Sequence, residues 1–214
     1  IKSPRSLYKI FSRLYNVVMQ KLVIASNNKG KIREFKEILG EKFEIIPMSE
    51  AGFNADVEEN GSTFQENSLI KAKAVATALN LPALADDSGL CVDYLDGAPG
   101  LYSARFSGVH GDDAANRAKL LSALYEATDR RAKFCCSICL YYPDGKTLYG
   151  YGETLGEILR SEKGSNGFGY DSLFYSYDLK KPFGEATDEE KNSVSHRYRA
   201  LCDLLDELAT GDLK

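Results

Sequence analysis

Leu84-Ala85-Asp86-Asp87-Ser88-Gly89-Leu90 places two adjacent carboxylates directly after an apolar run. The run predicts a buried strand over Leu81–Ala85, with the acids at its end. Two acids so placed repel each other unless a cation or protons intervene. Mg²⁺ is a natural partner, because it takes hard oxygen ligands and usually shares them with phosphate. A solvated turn rich in Asp, Ser and Gly is the alternative interpretation.

The composition is that of a globular α/β protein. Of the 214 residues, 43% are hydrophobic and 27% are charged, which suits one domain or two closely joined lobes. The formal net charge of −4 excludes a global basic field, so we expect no nucleic-acid partner and a local cluster of cations for any anionic substrate. No stretch approaches the roughly 18 apolar residues that span a bilayer, so we expect no membrane partner.

The five cysteines indicate reduced thiols in a core. Cys135, Cys136 and Cys139 lie in an apolar run that predicts a buried strand. A zinc site would need a second ligand pair, and none has suitable spacing. We therefore expect a cytoplasmic protein.

Strands alternate with helices and a hairpin comes late in the chain, which predicts an α/β fold with a mixed twisted sheet flanked by helices. Strands are predicted over 20–25, 43–47, 81–85, 133–142, 147–153 and 157–159. Helices are predicted over 31–39, from a capping box at Thr63 and Glu66 to about 79, from 112 or 113 to about 127, and from a cap at Ser195 onward.

A polar loop after the first strand is a candidate anion site. It reads Ser26-Asn27-Asn28-Lys29-Gly30, and Lys29, Lys31 and Arg33 crowd the start of the next helix. Cations are unfavourable at the positive end of a helix dipole, whereas a bound phosphate would attract both the lysines and the free N–H groups. The Walker A pattern is absent, and a basic surface turn is the alternative.

A pair of carboxylates, Glu58 and Glu59, lies just before the predicted helix that carries Asn67 and Lys71. These acids could complete a metal site with the acidic pair of the third strand, or form a solvated loop. Asn67 and Lys71 are four residues apart and share a helix face, from which Lys71 could reach a phosphate. An ordinary surface lysine is the alternative.

A glycine-rich loop with an aromatic centre runs from Gly164 to Asp171. Its glycines permit close backbone approach, and Phe168 could stack on a flat ring or simply plug a tight turn. Lys191 and Ser195-His196-Arg197 follow. An arginine at a helix start can donate a forked pair of hydrogen bonds; a surface arginine on a capped helix is the alternative.

Together, six ordered motifs resemble the inosine/xanthosine triphosphate pyrophosphatase family, enzymes that clear non-standard purine nucleoside triphosphates. The motifs lie at 26–31, 58–67, 85–90, 97–105, 167–171 and 191–197. The likeness spans about residues 20–209. One departure is Ser172, where the family usually has proline after Gly-Tyr-Asp.

The resemblance implies an ITPase-like two-lobed single domain with a central nucleotide cleft, Mg²⁺ as cofactor and a homodimer. It implies hydrolysis of ITP, dITP or XTP to the monophosphate and pyrophosphate. The catalytic positions it implies are Asp87, Lys31, Lys71 and Asp86, with Asp87 accepting a proton from the attacking water. The metal ligands it implies are Asp87 with Glu58 or Glu59, and Asp86 as a further candidate. The substrate-binding positions it implies are Ser26, Asn27, Asn28, Lys29, Gly30, Lys31, Ser88, Phe168, Gly169, Tyr170, Asp171, Lys191, His196 and Arg197.

Residues 1–18 fall outside the resemblance and contain four basic residues and no acid. They are interpreted as an added upstream segment, a targeting remnant or a genuine extra helix. Met19 stands directly before the first strand and is a plausible start. We therefore expect an N-terminal extension over 1–18 and a pyrophosphatase domain over 19–210.

Two other functions remain open. A Maf-type pyrophosphatase would act on modified pyrimidine nucleotides instead. A catalytically silent nucleotide-binding protein would gain little from four clustered carboxylates, which argues against it.

Overall fold

The structure is a computed structural model that describes residues 20–40 and 43–211. The expected extension over 1–18, with Met19, lies outside the described residues. No described helix is long and apolar enough to cross a membrane.

Within the described ranges, seven strands form one mixed sheet. They are β1 (Gln20–Ile24), β2 (Phe43–Pro47), β3 (Ala83–Val92), β4 (Arg131–Tyr141), β5 (Thr147–Ile158), β6 (Phe174–Ser176) and β7 (Lys181–Pro182). Their order in the sheet is β2-β1-β3-β4-β5-β6-β7. β1 is parallel to β2 and β3, whereas β6 is antiparallel to β5 and β7, which confirms the predicted mixed sheet.

Five α-helices accompany these strands in the described part of the chain. They are α1 (Lys29–Leu39), α2 (Phe64–Leu79), α3 (Asp113–Ala123), α4 (Asp188–Val194) and α5 (His196–Gly211). Short 3₁₀ helices cover Asp93–Leu95, Gly100–Arg105, Asp171–Leu173 and Phe183–Glu185.

The described chain divides into two units. The first contains the described residues up to Asp86, Ile138–Tyr151 and the described residues from Ala200 onward. The second contains Asp87–Ser137 and Gly152–Arg199. Each unit has a hydrophobic core of its own.

Small side chains build the core of the first unit. Ala72, Val75 and Ala76 of α2 are fully buried in one cluster with Val23 of β1 and Ala83 of β3. Because these side chains are short, the helix backbone can lie close to the sheet. This packing fixes α2, which carries Lys71.

Aromatic side chains build the core of the second unit. The ring centroids of Phe134 and Phe174 lie 4.7 Å apart, and those of Phe174 and Phe183 lie 5.1 Å apart. Leu120 on α3 and Leu124, which directly follows the helix, are fully buried in the same cluster. Burial of each such side chain stabilises the fold by roughly 1.5–3 kcal/mol.

The strand that carries the two acids is longer than the sequence predicts. β3 continues past Ala85 to Val92, so Asp86 and Asp87 lie inside the strand and not at its end. Successive residues of a strand face opposite sides of the sheet, so the strand itself separates the two carboxylates. The run is not a solvated turn either, since Asp86 is buried.

Other element boundaries also differ from the prediction. α1 begins at Lys29 because the Asn28 side chain caps it, so Lys29 and Gly30 belong to the helix. α3 ends at Ala123, about one turn early. β5 continues to Ile158 as one strand, where a separate strand over 157–159 was expected. The short elements α4, β6 and β7 were missed.

The helix cap at Thr63 is confirmed, but its capping box is incomplete. Thr63 Oγ1 accepts a hydrogen bond from the Glu66 N–H at 3.1 Å. The Glu66 carboxylate accepts instead from the Ser62 N–H at 2.6 Å. A complete capping box forms at α4 between Thr187 and Glu190, where none was predicted.

Helix α5 covers a stretch of β5 that has no β6 partner, because β6 pairs only with the far end of β5. The N–H groups of Tyr149 and Tyr151 donate to the carboxylates of Glu207 and Asp203 on α5, at 2.7 and 2.9 Å. A Cβ at Gly150 would lie 2.0 Å from a carbonyl oxygen of α5, so only glycine permits this close approach.

Arg130 joins the end of α3 to the end of β5 through backbone carbonyls. Its guanidinium donates to the carbonyls of Leu124 at 2.6 Å, Ile158 at 2.6 Å and Leu159 at 2.9 Å. Burial lowers the pKa of Arg130 below its usual value, but the side chain stays charged. These bonds fix the C-terminal end of α3.

We expect Arg130→Met to lower the free energy of unfolding by about 2 kcal/mol, because the carbonyls of Leu124, Ile158 and Leu159 each lose a charged donor. Arg131→Met is the matched control, since Arg131 is exposed and pairs with Asp129 and Asp93 on the surface. The free energy of unfolding should fall much less in this control than in Arg130→Met. Urea unfolding of both variants measures this, and equal losses would contradict the role of Arg130.

Candidate active site

The predicted site residues occur in both units, and each group is described by itself. In the first unit, the loop after β1 forms a cap for α1. Asn28 Oδ1 accepts from the Lys31 N–H at 3.1 Å, and Ser26 Oγ accepts from the Asn28 N–H at 3.1 Å. Asn27, Asn28 and Lys29 are exposed, and the first turn of α1 contains no acid. This helix end therefore carries positive potential that no acidic side chain of its own first turn offsets.

Lys31 forms an ion pair with Asp86. Its Nζ lies 3.1 Å from Asp86 Oδ2, and the two side chains are 15% and 0% exposed. A carboxylate so deeply buried needs a counter-charge, and Lys31 supplies it. The pair ties α1 to β3 and fixes the lysine at the base of the capped loop.

Lys71 forms a second ion pair, with Glu59. Its Nζ lies 2.7 Å from Glu59 Oε2. One turn earlier on α2, Asn67 Oδ1 accepts from the Gly61 N–H at 2.8 Å. The predicted helix face shared by Asn67 and Lys71 is thus confirmed, since both side chains bind the segment over 59–61. Glu58, which directly precedes that segment, is exposed.

In the second unit, Asp87 and Ser88 follow one another on β3. Asp87 is half-buried, and its Oδ1 accepts from the Ser88 N–H at 3.0 Å. Ser88 Oγ lies 3.2 Å from Arg197 Nη2. Arg197 is fully buried, so the alternative of a surface arginine is wrong. The predicted cap of its helix is confirmed, since Ser195 Oγ accepts from the N–H three residues later at 3.1 Å.

A buried ion pair lies beneath the glycine-rich loop. Lys191 Nζ is 2.6 Å from Asp171 Oδ2, and the two side chains are 5% and 4% exposed. The same ammonium lies 4.7 Å from the centroid of the Phe168 ring. A Cβ at Gly167 would lie 2.1 Å from Asp171 Oδ2, and Gly167 has a φ of +78°, so this position requires glycine.

Tyr170 and His196 are buried through contacts within the second unit. The Tyr170 hydroxyl donates to the Ser103 carbonyl at 2.8 Å, and burial raises the pKa of Tyr170. The His196 ring stacks on Phe134, with centroids 4.9 Å apart. These contacts give both side chains a packing role, and their binding roles stay predictions.

Two polar residues of this loop region were not predicted from the sequence. Asp113 was predicted only as a possible helix cap, and no role was predicted for Arg117. Both bind the backbone of Gly169. No local signal could have found them, because 56 and 52 residues separate them from Gly169.

A divalent metal needs hard oxygen donors, and Asp87, Glu58 and Glu59 supply carboxylates of that kind. Among the described residues, no three His, Cys, Asp or Glu side chains cluster as a metal site. Mg²⁺ in proteins is typically held by one or two carboxylates together with substrate phosphates, so a sparse donor set fits this ion. All five cysteines are free thiols, and Cys135, Cys136 and Cys139 are buried as predicted.

A comparison with protein families identifies the chain. The sequence model of the Ham1 family matches residues 22–207. The chain belongs to the Ham1 family. The resemblance drawn from the six motifs is thereby confirmed.

Relatives of this Ham1 chain match it over nearly their whole length. A protein named dITP/XTP pyrophosphatase from Clostridium perfringens (strain 13 / Type A) is 46% identical over 199 residues, 89% of this chain and 98% of that protein. The protein of the same name from Geobacter sulfurreducens is 50% identical over 195 residues, 89% of this chain and 97% of its own.

Solved Ham1 structures share the fold. The Ham1 protein of Staphylococcus aureus superposes with a TM-score of 0.79 at 46% identity, covering 90% of this chain and 100% of that one. The HAM1 protein of Coxiella burnetii superposes with a TM-score of 0.77 at 41% identity, covering 91% of this chain and 99% of that one.

We expect Lys31→Met to lower the free energy of unfolding by about 3 kcal/mol, because it removes the Lys31 ammonium from beside the buried Asp86 carboxylate. Lys71→Met is the matched control in the same unit. Its partner Glu59 is 33% exposed, so that loss should be about 1 kcal/mol. Urea unfolding measures both. Equal losses would show that the burial of Asp86 does not set the strength of its pairing.

Proposed function

We propose that this Ham1 protein hydrolyses non-standard purine nucleoside triphosphates (ITP, dITP and XTP) to the monophosphate and pyrophosphate. The observation that carries the proposal is the similarity to proteins named dITP/XTP pyrophosphatase, at 46% and 50% identity over 89% of this chain. The charge pattern of the described residues supports it.

Lys31 and Lys71 are assigned to the triphosphate. Each ammonium is held by a carboxylate, Lys31 by Asp86 and Lys71 by Glu59. Two positive charges fixed in this way suit the negative oxygens of a triphosphate. Phosphoryl transfer depends mainly on such positioning and charge neutralisation, so fixed lysines favour it.

We assign the cofactor Mg²⁺ to Asp87 with Glu58 or Glu59, and Asp86 stays paired with Lys31. When bound, the ion would neutralise phosphate charge and help to orient the attacking water. In our assignment Asp87 accepts a proton from that water as the water oxygen bonds to the α-phosphorus. The bond from the α-phosphorus to the bridging oxygen breaks, and that oxygen leaves with pyrophosphate. Chelation by EDTA should then stop the reaction, and added Mg²⁺ should restore it.

We expect Asp87→Asn to lower kcat by more than about a hundredfold, because an amide cannot accept the proton. Asp93→Asn is the control, since Asp93 follows the same strand, is exposed and pairs with Arg131. Pyrophosphate release gives kcat, and calorimetry with IMP checks that the nucleotide still binds. A near-normal kcat in Asp87→Asn would refute the assignment.

Arg197 is assigned to base discrimination. Hypoxanthine and xanthine present an acceptor carbonyl at position six, where adenine presents a donor amino group. A buried guanidinium aimed at that atom would meet a donor when ATP binds, which costs about 1–3 kcal/mol. Arg197 is fully buried and its Nη2 lies 3.2 Å from Ser88 Oγ, also a predicted binding residue.

We expect Arg197→Lys to lower the ITP/ATP ratio of kcat/KM by about tenfold, because lysine lacks the forked donors. Arg199→Lys, two residues further along α5, is the matched control. Arg199 bonds to Asp178 and to the Glu153 carbonyl instead. Steady-state kinetics with both nucleotides measures the ratio. An unchanged ratio in Arg197→Lys would remove Arg197 from the discrimination.

A substrate panel tests the function as a whole. ITP, dITP, XTP, UTP, dTTP, ATP and GTP are compared by release of pyrophosphate with Mg²⁺ present. Preference for ITP, dITP or XTP supports the proposal. Preference for pyrimidines would favour a Maf-type enzyme, and binding without turnover would favour a silent binding protein.

Three further expectations stay predictions. We propose a homodimer, which light scattering tests, and a cytoplasmic location, which cell fractionation tests. We also propose that residues 1–18 lie outside the pyrophosphatase domain of 19–210. A chain that begins at Met19 would then keep its activity.

A further inference from the structure

Helix α3 holds the backbone of Gly169 on both sides. The Gly169 N–H donates to Asp113 Oδ2 at 2.9 Å, and the Gly169 carbonyl accepts from Arg117 Nη1 at 2.9 Å. Asp113 and Arg117 are four residues apart, so they lie on successive turns of one helix face. Glycine has the greatest backbone freedom of any residue, so these two bonds restrict the loop where it would otherwise be freest.

The helix that holds Gly169 is itself fixed within the second unit. Asn116, which is 1% exposed, accepts from the Ser107 N–H at 2.6 Å and donates to the Ala104 carbonyl at 3.2 Å. Arg130 holds the other end of α3. The two bonds to Gly169 therefore come from a rigid support.

Arg117 and Ser172, the residue that departs from the family pattern, bind the same carboxylate. Arg117 Nε lies 3.0 Å from Glu162 Oε2, and Ser172 Oγ donates to that oxygen at 2.8 Å. The hydrogen bond from Ser172 is the main cause that lowers the pKa of Glu162, and Arg117 adds to it. Where the family usually has a rigid proline, this chain has Ser172, whose hydroxyl links the loop to Arg117 through the Glu162 carboxylate.

Phe168 precedes Gly169, and its ring orientation depends on the same backbone. The Phe168 N–H donates to Asp171 Oδ2 at 2.8 Å, and Lys191 lies over the ring. With Gly169 bound to α3, the peptide groups on both sides of Phe168 are fixed. A ring held in this way loses little further freedom when it stacks on a flat ligand.

We propose that Asp113 and Arg117 are positioning residues that hold Gly169, and thereby the Phe168 ring, ready to stack on the purine base. This inference rests on the proposed function and deepens it. Both residues bind the loop backbone, and in this proposal neither binds the nucleotide itself. They act on base affinity by keeping the loop in its binding conformation, and the affinity falls with the fraction of molecules that leave it.

Arg117→Met tests the proposal. Lys119→Met is the matched control, because Lys119 lies on the same helix, carries the same charge and bonds to the Phe106 carbonyl instead. Hydrogen exchange over residues 165–170, read by mass spectrometry, should be about tenfold faster in Arg117→Met and unchanged in the control. Unchanged exchange in Arg117→Met would overturn the proposal.

Kinetics separates positioning from general destabilisation. We expect Arg117→Met to raise KM for ITP about tenfold while kcat stays within about twofold. A kcat that falls with KM unchanged would overturn the proposal, as would faster exchange with both constants unchanged. Asp113→Asn is the milder second variant if Arg117→Met fails to fold, and Arg117→Lys should recover part of the affinity because it keeps a donor.

Calorimetry with IMP keeps the two proposals distinguishable. If the unaltered protein binds IMP but hydrolyses no triphosphate, the proposed reaction fails, while weaker IMP binding in Arg117→Met still supports the positioning role. If IMP binds equally to both proteins, the positioning role fails whatever the reaction.

Discussion

The ion pair between Lys31 and Asp86 is the contact on which the first unit depends. An ionised carboxylate with no exposed surface is costly unless a cation meets it, and Lys31 is that cation at 3.1 Å. β3 can therefore carry an acid inside the sheet, and the next residue, Asp87, can stand on the opposite side of the strand. The pair also fixes where α1 begins relative to β3, and with it the capped loop over 26–28.

Two other lysines among the described residues are likewise held by a carboxylate. Lys71 is held by Glu59 and Lys191 by Asp171, each within its own unit. A free lysine side chain loses about 2 kcal/mol of conformational entropy when it is ordered. In a folded protein that holds its lysines in place, part of this cost is met before a ligand arrives. For a polyanionic ligand, such preorganisation favours tight and oriented binding.

The order of strands and helices predicted the mixed sheet, and capping residues predicted the helices that carry Lys71 and Arg197. The apolar pattern failed at β3, because it treats Asp86 and Asp87 as a break and contains nothing of the lysine that neutralises the buried acid. The apolar pattern also missed α4, β6 and β7, which are too short to show a period. The motif order gave the family, but the contacts of Gly169 with Asp113 and Arg117 join segments that only the folded chain brings together.

The cover of α5 over β5 has a consequence for shortened chains. The N–H groups of Tyr149 and Tyr151 donate to the carboxylates of Glu207 and Asp203. Side chains of α5 thus take the place of a neighbouring strand as acceptors for these two groups. A protein cut before Asp203 would present two unmet amides on an open strand, next to the close-approach surface at Gly150. Such an edge is a template for another extended chain. Loss of the last turns of α5 would therefore favour self-association through the exposed edge of β5. Besides stabilising the fold, these turns protect the protein from aggregation.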